Sequence, residues 1–186
     1  MRFANLLVVV SMFAPLPAGA QMSDPAGAAE SRERVAALGW LVGEWQGDGW
    51  VMVQGAGRQT FTSTEVVESR LDGRLLLVEG VHHDAEGNVV HNALGAITWD
   101  AEDDRFVFHT WLGNAGGGGA DNALELTEQG FRWSPRASAP DVTIVFEVRH
   151  ENEAWVETGT VSLPDGRSFQ FFEMRLRRTA GSQQVD

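Results

Sequence analysis

The stretch Leu38-Gly-Trp-Leu-Val-Gly-Glu-Trp-Gln-Gly-Asp-Gly-Trp50 sets tryptophans among closely spaced glycines. It is too polar and too rich in glycine for a helix, so it predicts a first β-strand. Glycine inside a strand usually marks a bend or the close approach of another backbone. The first strand of a small closed barrel must coil sharply, and glycine is suited to such a bend. We therefore expect Trp45 to fill the floor of a β-barrel.

A short helix is predicted immediately before this strand. Apolar residues recur on one helical face over Glu30–Leu41, and a face of this kind packs against a core. We expect it to cap the barrel floor. The residues that would do so are Val35, Leu38, Leu41 and Val42. Residues 21–29 contain a proline, a glycine and alanines, which predicts a flexible lead-in.

The first twenty residues have the pattern of a secretory signal peptide. Arg2 gives a positive start, Leu6–Phe13 an apolar core, and Ala18–Ala20 a small-residue cleavage site. The apolar run is too short to span a membrane. We therefore predict a periplasmic or secreted protein that is cleaved near Ala20 and does not span the membrane.

Composition limits the function further. Residues 30–179 are predicted to form a single barrel domain, and residues 180–186 a disordered tail. The net charge of −12 argues against binding to nucleic acid, which needs a basic face. The chain has no cysteine, which excludes a disulfide framework and a thiolate metal site. Its oligomeric state is left open.

The rest of the chain has a β pattern. Alternating or wholly apolar runs are separated by turn signals such as Asp72-Gly73 and Pro164-Asp-Gly166, and Gly113–Gly119 is expected to form a loop at the barrel mouth. The predicted strands are Glu44–Val53, Gln59–Ser69, Arg74–His82, Val89–Trp99, Arg105–Leu112, Asp121–Thr127, Gly130–Ser134, Val142–Arg149, Ala154–Leu163 and Ser168–Arg177. One helix followed by a meander without a long crossover predicts an all-β fold, a roughly ten-stranded antiparallel up-and-down β-barrel with a short capping helix.

The pattern Leu-x-x-Leu-x-Gly-x-Trp-x-Gly-x-Gly over 38–49 resembles the entrance to lipocalin-like (calycin) barrels. It is more similar to the bacterial DUF1579 family and, distantly, to nitrobindin-type haem-binding barrels. Further stretches that fit this family are Leu71–Gly80, Leu94–Asp100, Trp155–Gly159 and Phe172–Arg178. The resemblance implies a barrel that carries hydrophobic or aromatic small molecules.

Seven tryptophans and ten phenylalanines predict an interior rich in aromatic side chains. A barrel of about ten strands is wide enough to leave a cavity. We expect it to bind a hydrophobic or aromatic molecule, with no cofactor and no metal. The predicted ligand-binding residues are Trp50, Phe108, His109, Trp111, Phe146, Trp155, Glu157 and Phe172. A single bulge in the first strand would exchange the inward and outward sets, so the choice between Phe108 and His109 stays open.

An alternative is a small isomerase or hydrolase that uses an inward Glu/His pair. Glu65, Glu79 and Glu157 lie among apolar neighbours, and burial would raise the pKa of any that points inward. The alternative requires Glu79, Glu157, His91 or His109 to converge on one buried volume. Otherwise these carboxylates are expected on the outer face. A solid barrel whose outer face binds another envelope component also fits the sequence.

The histidines suggest two further alternatives. His82 and His83 are adjacent and must point to opposite faces of a strand, while the following turn brings His91 close to one of them. A His82–His91 pair with Glu79 or Asp84 has the ligand types for zinc, although solvated or hydrogen-bonded histidines are the simpler interpretation.

The haem-binding relatives imply an axial histidine near the C-terminal end of the barrel. The closing strands of this chain contain none, because the last histidine is His150 at a strand end. A haem site would therefore need His109 from a different strand as its axial ligand.

Overall fold

A computed structural model of the chain describes residues 24–113, 118–135 and 141–179. They form helix α1 (Pro25–Ala36), a short 3₁₀ turn (Gly39–Leu41) and ten strands. The strands are β1 (Gly43–Val53), β2 (Gly57–Arg70), β3 (Leu75–His83), β4 (Val89–Asp100), β5 (Arg105–Leu112), β6 (Ala120–Thr127), β7 (Gly130–Ser134), β8 (Thr143–Glu151), β9 (Ala154–Ser162) and β10 (Ser168–Arg178). The predicted signal peptide, the predicted tail and residues 114–117 of the glycine-rich loop lie outside the described residues.

The ten strands form one closed antiparallel up-and-down barrel. Each strand pairs with the next in the chain, and β1 pairs with β10 to close the sheet. The closing register runs from Trp45 opposite Arg178 to Val51 opposite Phe172. The fold class predicted from the helix followed by a meander is therefore confirmed.

Trp45 lies in the core at the helix end of the barrel and is 1% exposed. Its indole N–H donates a hydrogen bond to the Leu41 carbonyl oxygen at 2.7 Å. The Arg178 guanidinium lies 4.3 Å from the centre of the Trp45 ring. Arg178 also donates to the carbonyl oxygens of Trp40 and Val42, at 2.5 and 2.6 Å. The last strand is thereby tied to the segment that covers the floor.

Helix α1 begins at Pro25 and not at Glu30. The side chain of Asp24 accepts a hydrogen bond from the Gly27 backbone N–H at 3.0 Å, and proline is well suited to the first helical position. Residues 25–29 are therefore helical, and the flexible segment predicted there is wrong from Pro25 onward. Within the described residues no helix is long and apolar enough to cross a membrane.

The glycines of β1 allow neighbouring groups to approach closely. A Cβ atom at Gly47 would lie 2.1 Å from the Arg175 carbonyl oxygen, and one at Gly49 would lie 2.4 Å from the Phe61 ring. The pairing of β1 with β2 has no register shift. The alternation that starts with the inward side chain of Trp45 therefore continues along the strand.

Candidate functional site

A cavity of about 550 Å³ lies inside the barrel. It extends from Leu41 at the floor towards Leu112 and Pro135 at the barrel mouth, which is the end opposite α1. Aliphatic and aromatic side chains from strands all around the barrel make up most of its wall. They include Val78, Ile97, Phe131, Ile144, Phe171 and Met174. The volume falls within the range of small-molecule pockets.

Glu157 on β9 is one of two carboxyl groups in the cavity wall and is 7% exposed. Its Oε1 atom accepts a hydrogen bond from the Trp133 indole N–H at 3.0 Å. Burial raises the pKa of Glu157 to about 7, against the lowering effect of Trp133, and the charge of Glu65 raises it further. Near pH 7 this carboxyl group is therefore present in both its protonated and its ionised form.

Glu65 on β2 is the second carboxyl group and is 6% exposed. The Ser63 hydroxyl donates to its Oε1 atom at 3.1 Å. Gly80 lies directly opposite on β3, and a Cβ atom there would be 2.5 Å from Glu65 Oε2. Burial raises the pKa of Glu65 to about 8, and the Ser63 hydrogen bond opposes this shift. Glu65 is therefore mostly protonated at pH 7.

His82 and His91 face each other across β3 and β4, with ring centroids 4.7 Å apart. His82 stacks on Phe61 at 4.3 Å, and its Nε2 atom lies 3.5 Å from Glu65 Oε1. Burial lowers the pKa of both histidines to about 4, with a further contribution from a neighbouring histidine in each case. The histidines are therefore neutral at pH 7, and the contact with Glu65 joins two neutral groups instead of an ion pair.

Five of the eight predicted ligand-binding residues face the interior. Phe108, Phe146, Trp155 and Glu157 line the cavity. Phe172 packs against the core, with its ring 5.6 Å from that of Phe146. Their positions agree with the predicted lining, and their role in binding stays a prediction.

Trp50 does not line the cavity. Because Trp45 points inward and β1 has no bulge against β2, Trp50 lies on the outer face. The Arg58 guanidinium covers its ring at 4.1 Å. The glycines in this strand left the alternation ambiguous in the sequence, and the outcome corrects the predicted position of Trp50.

His109 and Trp111 also lie outside the cavity. Phe108 points inward on β5, so the alternation places the next residue and its i+2 neighbour on the outer face. His109 Nδ1 lies 2.6 Å from Asp121 Oδ1, and the His109 and Trp111 rings are 4.3 Å apart. Trp111 is 39% exposed.

These positions bear on the haem alternative. His109 cannot act as an axial ligand from inside the barrel, because it lies on the outer face with Asp121. His150 is the one histidine within the described residues 141–179. Its ring stacks on Trp40 at 4.8 Å and does not line the cavity. The residues present therefore do not fit the axial arrangement that the resemblance implies.

The described residues contain no group of three or more His, Cys, Asp or Glu side chains that could hold a metal ion. Glu79 is exposed on the outer face of β3. Asp84 accepts hydrogen bonds from the backbone and side chain of Asn88 in the following turn. Neither carboxylate therefore joins His82 and His91, and the proposed zinc ligands are not brought together.

Glu65, Trp133 and Phe171 are cavity residues that the predicted ligand set lacks. Glu65 shares the inward face of β2 with Phe61 and Ser63, a period-two signal that could have placed it. Trp133 shares a face with Phe131 in the same way. Phe171 has no such signal, because a register shift between Gln170 and Phe172 turns it inward.

These features define a closed ten-stranded antiparallel barrel, a fold that can bind a small molecule in its interior. Among solved structures, the chain is similar to the crystal structure of Rv2717c from M. tuberculosis. The TM-score is 0.57 at 12% sequence identity, over 78% of this chain and 96% of that chain. No protein-family profile and no curated protein matches the sequence. At this identity the likeness shows the fold alone.

Proposed function

We propose that the protein binds a hydrophobic or aromatic small molecule inside its barrel and serves as a carrier. The observation that supports this proposal is the cavity of about 550 Å³ with its mainly apolar wall. Burying apolar ligand surface against such a wall is favourable, at about 25 cal/mol per Å². The predicted residues Phe108, Phe146 and Trp155 contribute aromatic surface to it.

Native mass spectrometry of mature protein purified from its own host tests this proposal. We expect a non-covalently bound mass that denaturation releases. An Ala93→Trp substitution adds a large side chain to the cavity wall and should abolish the bound mass. Val66→Trp is the matched control, because Val66 is 39% exposed on the outer face of β2. An empty wild-type protein, or full occupancy in Ala93→Trp, would contradict the proposal.

The location of the carrier is a second part of the proposal. The charged start, apolar core and small-residue site within residues 1–20 support export followed by cleavage after Ala20. Cell fractionation and the intact mass of the mature protein test it, with a chain starting at Gln21 as the expected result. Cytoplasmic protein that retains Met1 or Arg2 would contradict it.

A distant relationship to the DUF1579-type barrels is also part of the proposal. It is supported by the Leu-x-x-Leu-x-Gly-x-Trp-x-Gly-x-Gly pattern over 38–49 and by the closed barrel that this segment enters. Shared structural motifs of this kind bear on the fold and leave the ligand undetermined.

One observation favours a second candidate, an enzyme that uses general acid–base catalysis. Glu65, Glu157 and His91 line the same cavity, whereas Glu79 and His109 lie outside it. Carboxyl groups with pKa values near 7 and 8 are suited to proton transfer at neutral pH. If a bound mass is identified, incubation with that compound and product analysis would separate the two candidates. Conversion that Glu157→Gln abolishes would favour the enzyme.

A further inference from the structure

The acidic and basic groups that the described residues bring to the cavity wall are carboxyl groups and a histidine. The two carboxyl groups, Glu65 and Glu157, lie on β2 and β9, which flank the closing pair β1 and β10. The described residues that line the cavity include no arginine, and the chain contains no lysine. An anionic ligand would therefore meet two acidic groups and, among the described residues of the wall, no arginine or lysine. Among the described residues, the other titratable groups beside these carboxyl groups are His82 and His91, both neutral at pH 7.

The carboxyl pair lies towards the closed end of the cavity. Glu65 is opposite Trp45 in the pairing of β1 with β2, and Trp45 fills the floor. Glu157 is opposite Val148 on β8, and Val148 is opposite Phe131 near the start of β7, which begins at the floor end of the barrel. A ligand that enters from the mouth with its polar group first would therefore bring that group to the two carboxyl groups.

Indole N–H groups favour a negative charge at Glu157. Trp133 donates to the Glu157 carboxyl group at 3.0 Å. The Trp155 N–H lies close enough to lower the pKa of Glu157, yet this buried group makes no regular hydrogen bond within the described part of the chain. Donors of this kind stabilise a carboxylate more than a neutral carboxyl group. A cation beside Glu157 would compensate the loss of solvation that opposes its ionisation.

Aromatic rings supply the remaining surface that a cation with an apolar body would need. The Trp133 and Phe146 rings stack at 4.3 Å, and the Phe108 ring meets Trp133 edge-on at 5.3 Å. The faces of aromatic rings attract cations, and most strongly where water is excluded. They also bury an apolar ligand body.

We propose that the cavity selects an apolar or aromatic amine, whose ammonium group is held between Glu65 and Glu157 and whose body packs on the aromatic wall. This inference rests on the proposed carrier function and specifies the class of its ligand. When a protonated amine enters, one carboxyl group gives its proton to the buffer and becomes the carboxylate that pairs with the ammonium. A neutral amine would instead take that proton directly.

A set of three shape-matched probes tests the inference: 2-naphthylmethylamine, 2-naphthylmethanol and 2-naphthoic acid. Their affinities for the full mature protein are measured by isothermal titration calorimetry at pH 7, in two buffers of different ionisation enthalpy. We expect the amine to bind at least about tenfold more tightly than the alcohol, and the acid to bind most weakly. Binding of the amine should also release protons from the carboxyl groups to the buffer, up to about one per molecule bound.

The variants Glu65→Gln and Glu157→Gln remove one carboxyl group at a time with little change in volume. Each should weaken binding of the amine at least about tenfold, so that the amine binds within about threefold of the alcohol to the same variant. Glu79→Gln is the control, because Glu79 is an exposed carboxylate on the outer face of β3. Circular dichroism establishes that each variant is folded. The comparison of the three probes on the wild-type protein tests the selectivity independently of the variants.

The outcomes separate this inference from the function on which it rests. If the alcohol binds as tightly as the amine, without proton release, the selectivity is overturned while the carrier function stands. If the wild-type protein binds none of the three probes and carries no bound mass from its host, the carrier function fails too. Selective binding of the amine that persists in both Gln variants would also overturn the assigned site.

Discussion

Replacing Glu65 with glutamine should change how the stability of the barrel depends on pH. Burial raises the pKa of Glu65 from 4.5 to about 8 in the folded protein. Between these values the folded state holds a proton that the unfolded state has lost. The free energy of unfolding therefore falls by about 1.36 kcal/mol per pH unit between the two pKa values. Above pH 8 it levels off.

The size of the effect can be worked out for a practical pH range. For a folded pKa of about 8, a rise from pH 6.5 to 8.5 ionises the side chain and removes about 2 kcal/mol of stability. Glu157, His82 and His91 titrate in both the wild-type protein and Glu65→Gln, so their contributions cancel to first order. Wild-type stability should therefore fall by about 2 kcal/mol more than that of the variant over this range.

Urea unfolding at pH 6.5, 7.5 and 8.5, at constant ionic strength, provides the measurement. Tryptophan fluorescence reports the transition, and linear extrapolation gives the free energy of unfolding. The exposed carboxylate Glu79 supplies the control, since Glu79→Gln should follow the wild-type pH dependence. Parallel stability curves for the wild-type protein and Glu65→Gln would refute the reasoning, because they would mean that Glu65 ionises equally in the folded and unfolded states.

Two further predictions concern the architecture around the cavity. Gly47→Ala should destabilise the protein by at least about 1 kcal/mol or prevent folding, because the Cβ of alanine would lie 2.1 Å from the Arg175 carbonyl oxygen. Thermal unfolding measures this effect, and an unchanged unfolding midpoint would contradict the prediction. Leu38→Ala should lower the free energy of unfolding by about 2–5 kcal/mol, because Leu38 is fully buried. A loss below about 1 kcal/mol in urea unfolding would show that Leu38 is not part of a packed floor.

The sequence was sufficient to predict the barrel because the signals for it are local. Turn residues such as Asp72-Gly73 separate runs that alternate with a period of two, and this pattern is written in consecutive residues. The N-terminus of α1 was missed although its signal was present. Asp24 followed by Pro25 is a helix start, and the prediction placed the first turn in a flexible segment instead.

The inner surface was harder to predict because it depends on the register between strands. Phe146 and Trp155 follow unbroken alternation and were placed correctly. Trp50 was misplaced because a bulge could not be told from continuous strand in a glycine-rich segment. Phe171 was missed because a register shift exists only in the pairing of β10 with β9. Such shifts arise from contacts between distant parts of the chain, which no local pattern records.

The carboxyl pair has an energetic consequence that bears on its role. Glu65 and Glu157 have raised pKa values because they are buried, so each weakens folding as pH rises through the neutral range. A polar side chain on the outer face would carry no such cost. Buried carboxyl groups that reduce stability and line a cavity with aromatic walls indicate a binding site. A bound ligand of opposite charge would offset their destabilising effect. An ammonium group between the two carboxyl groups would both satisfy the charge and restore stability, so binding of an amine should raise the unfolding midpoint more at pH 8.5 than at pH 6.5.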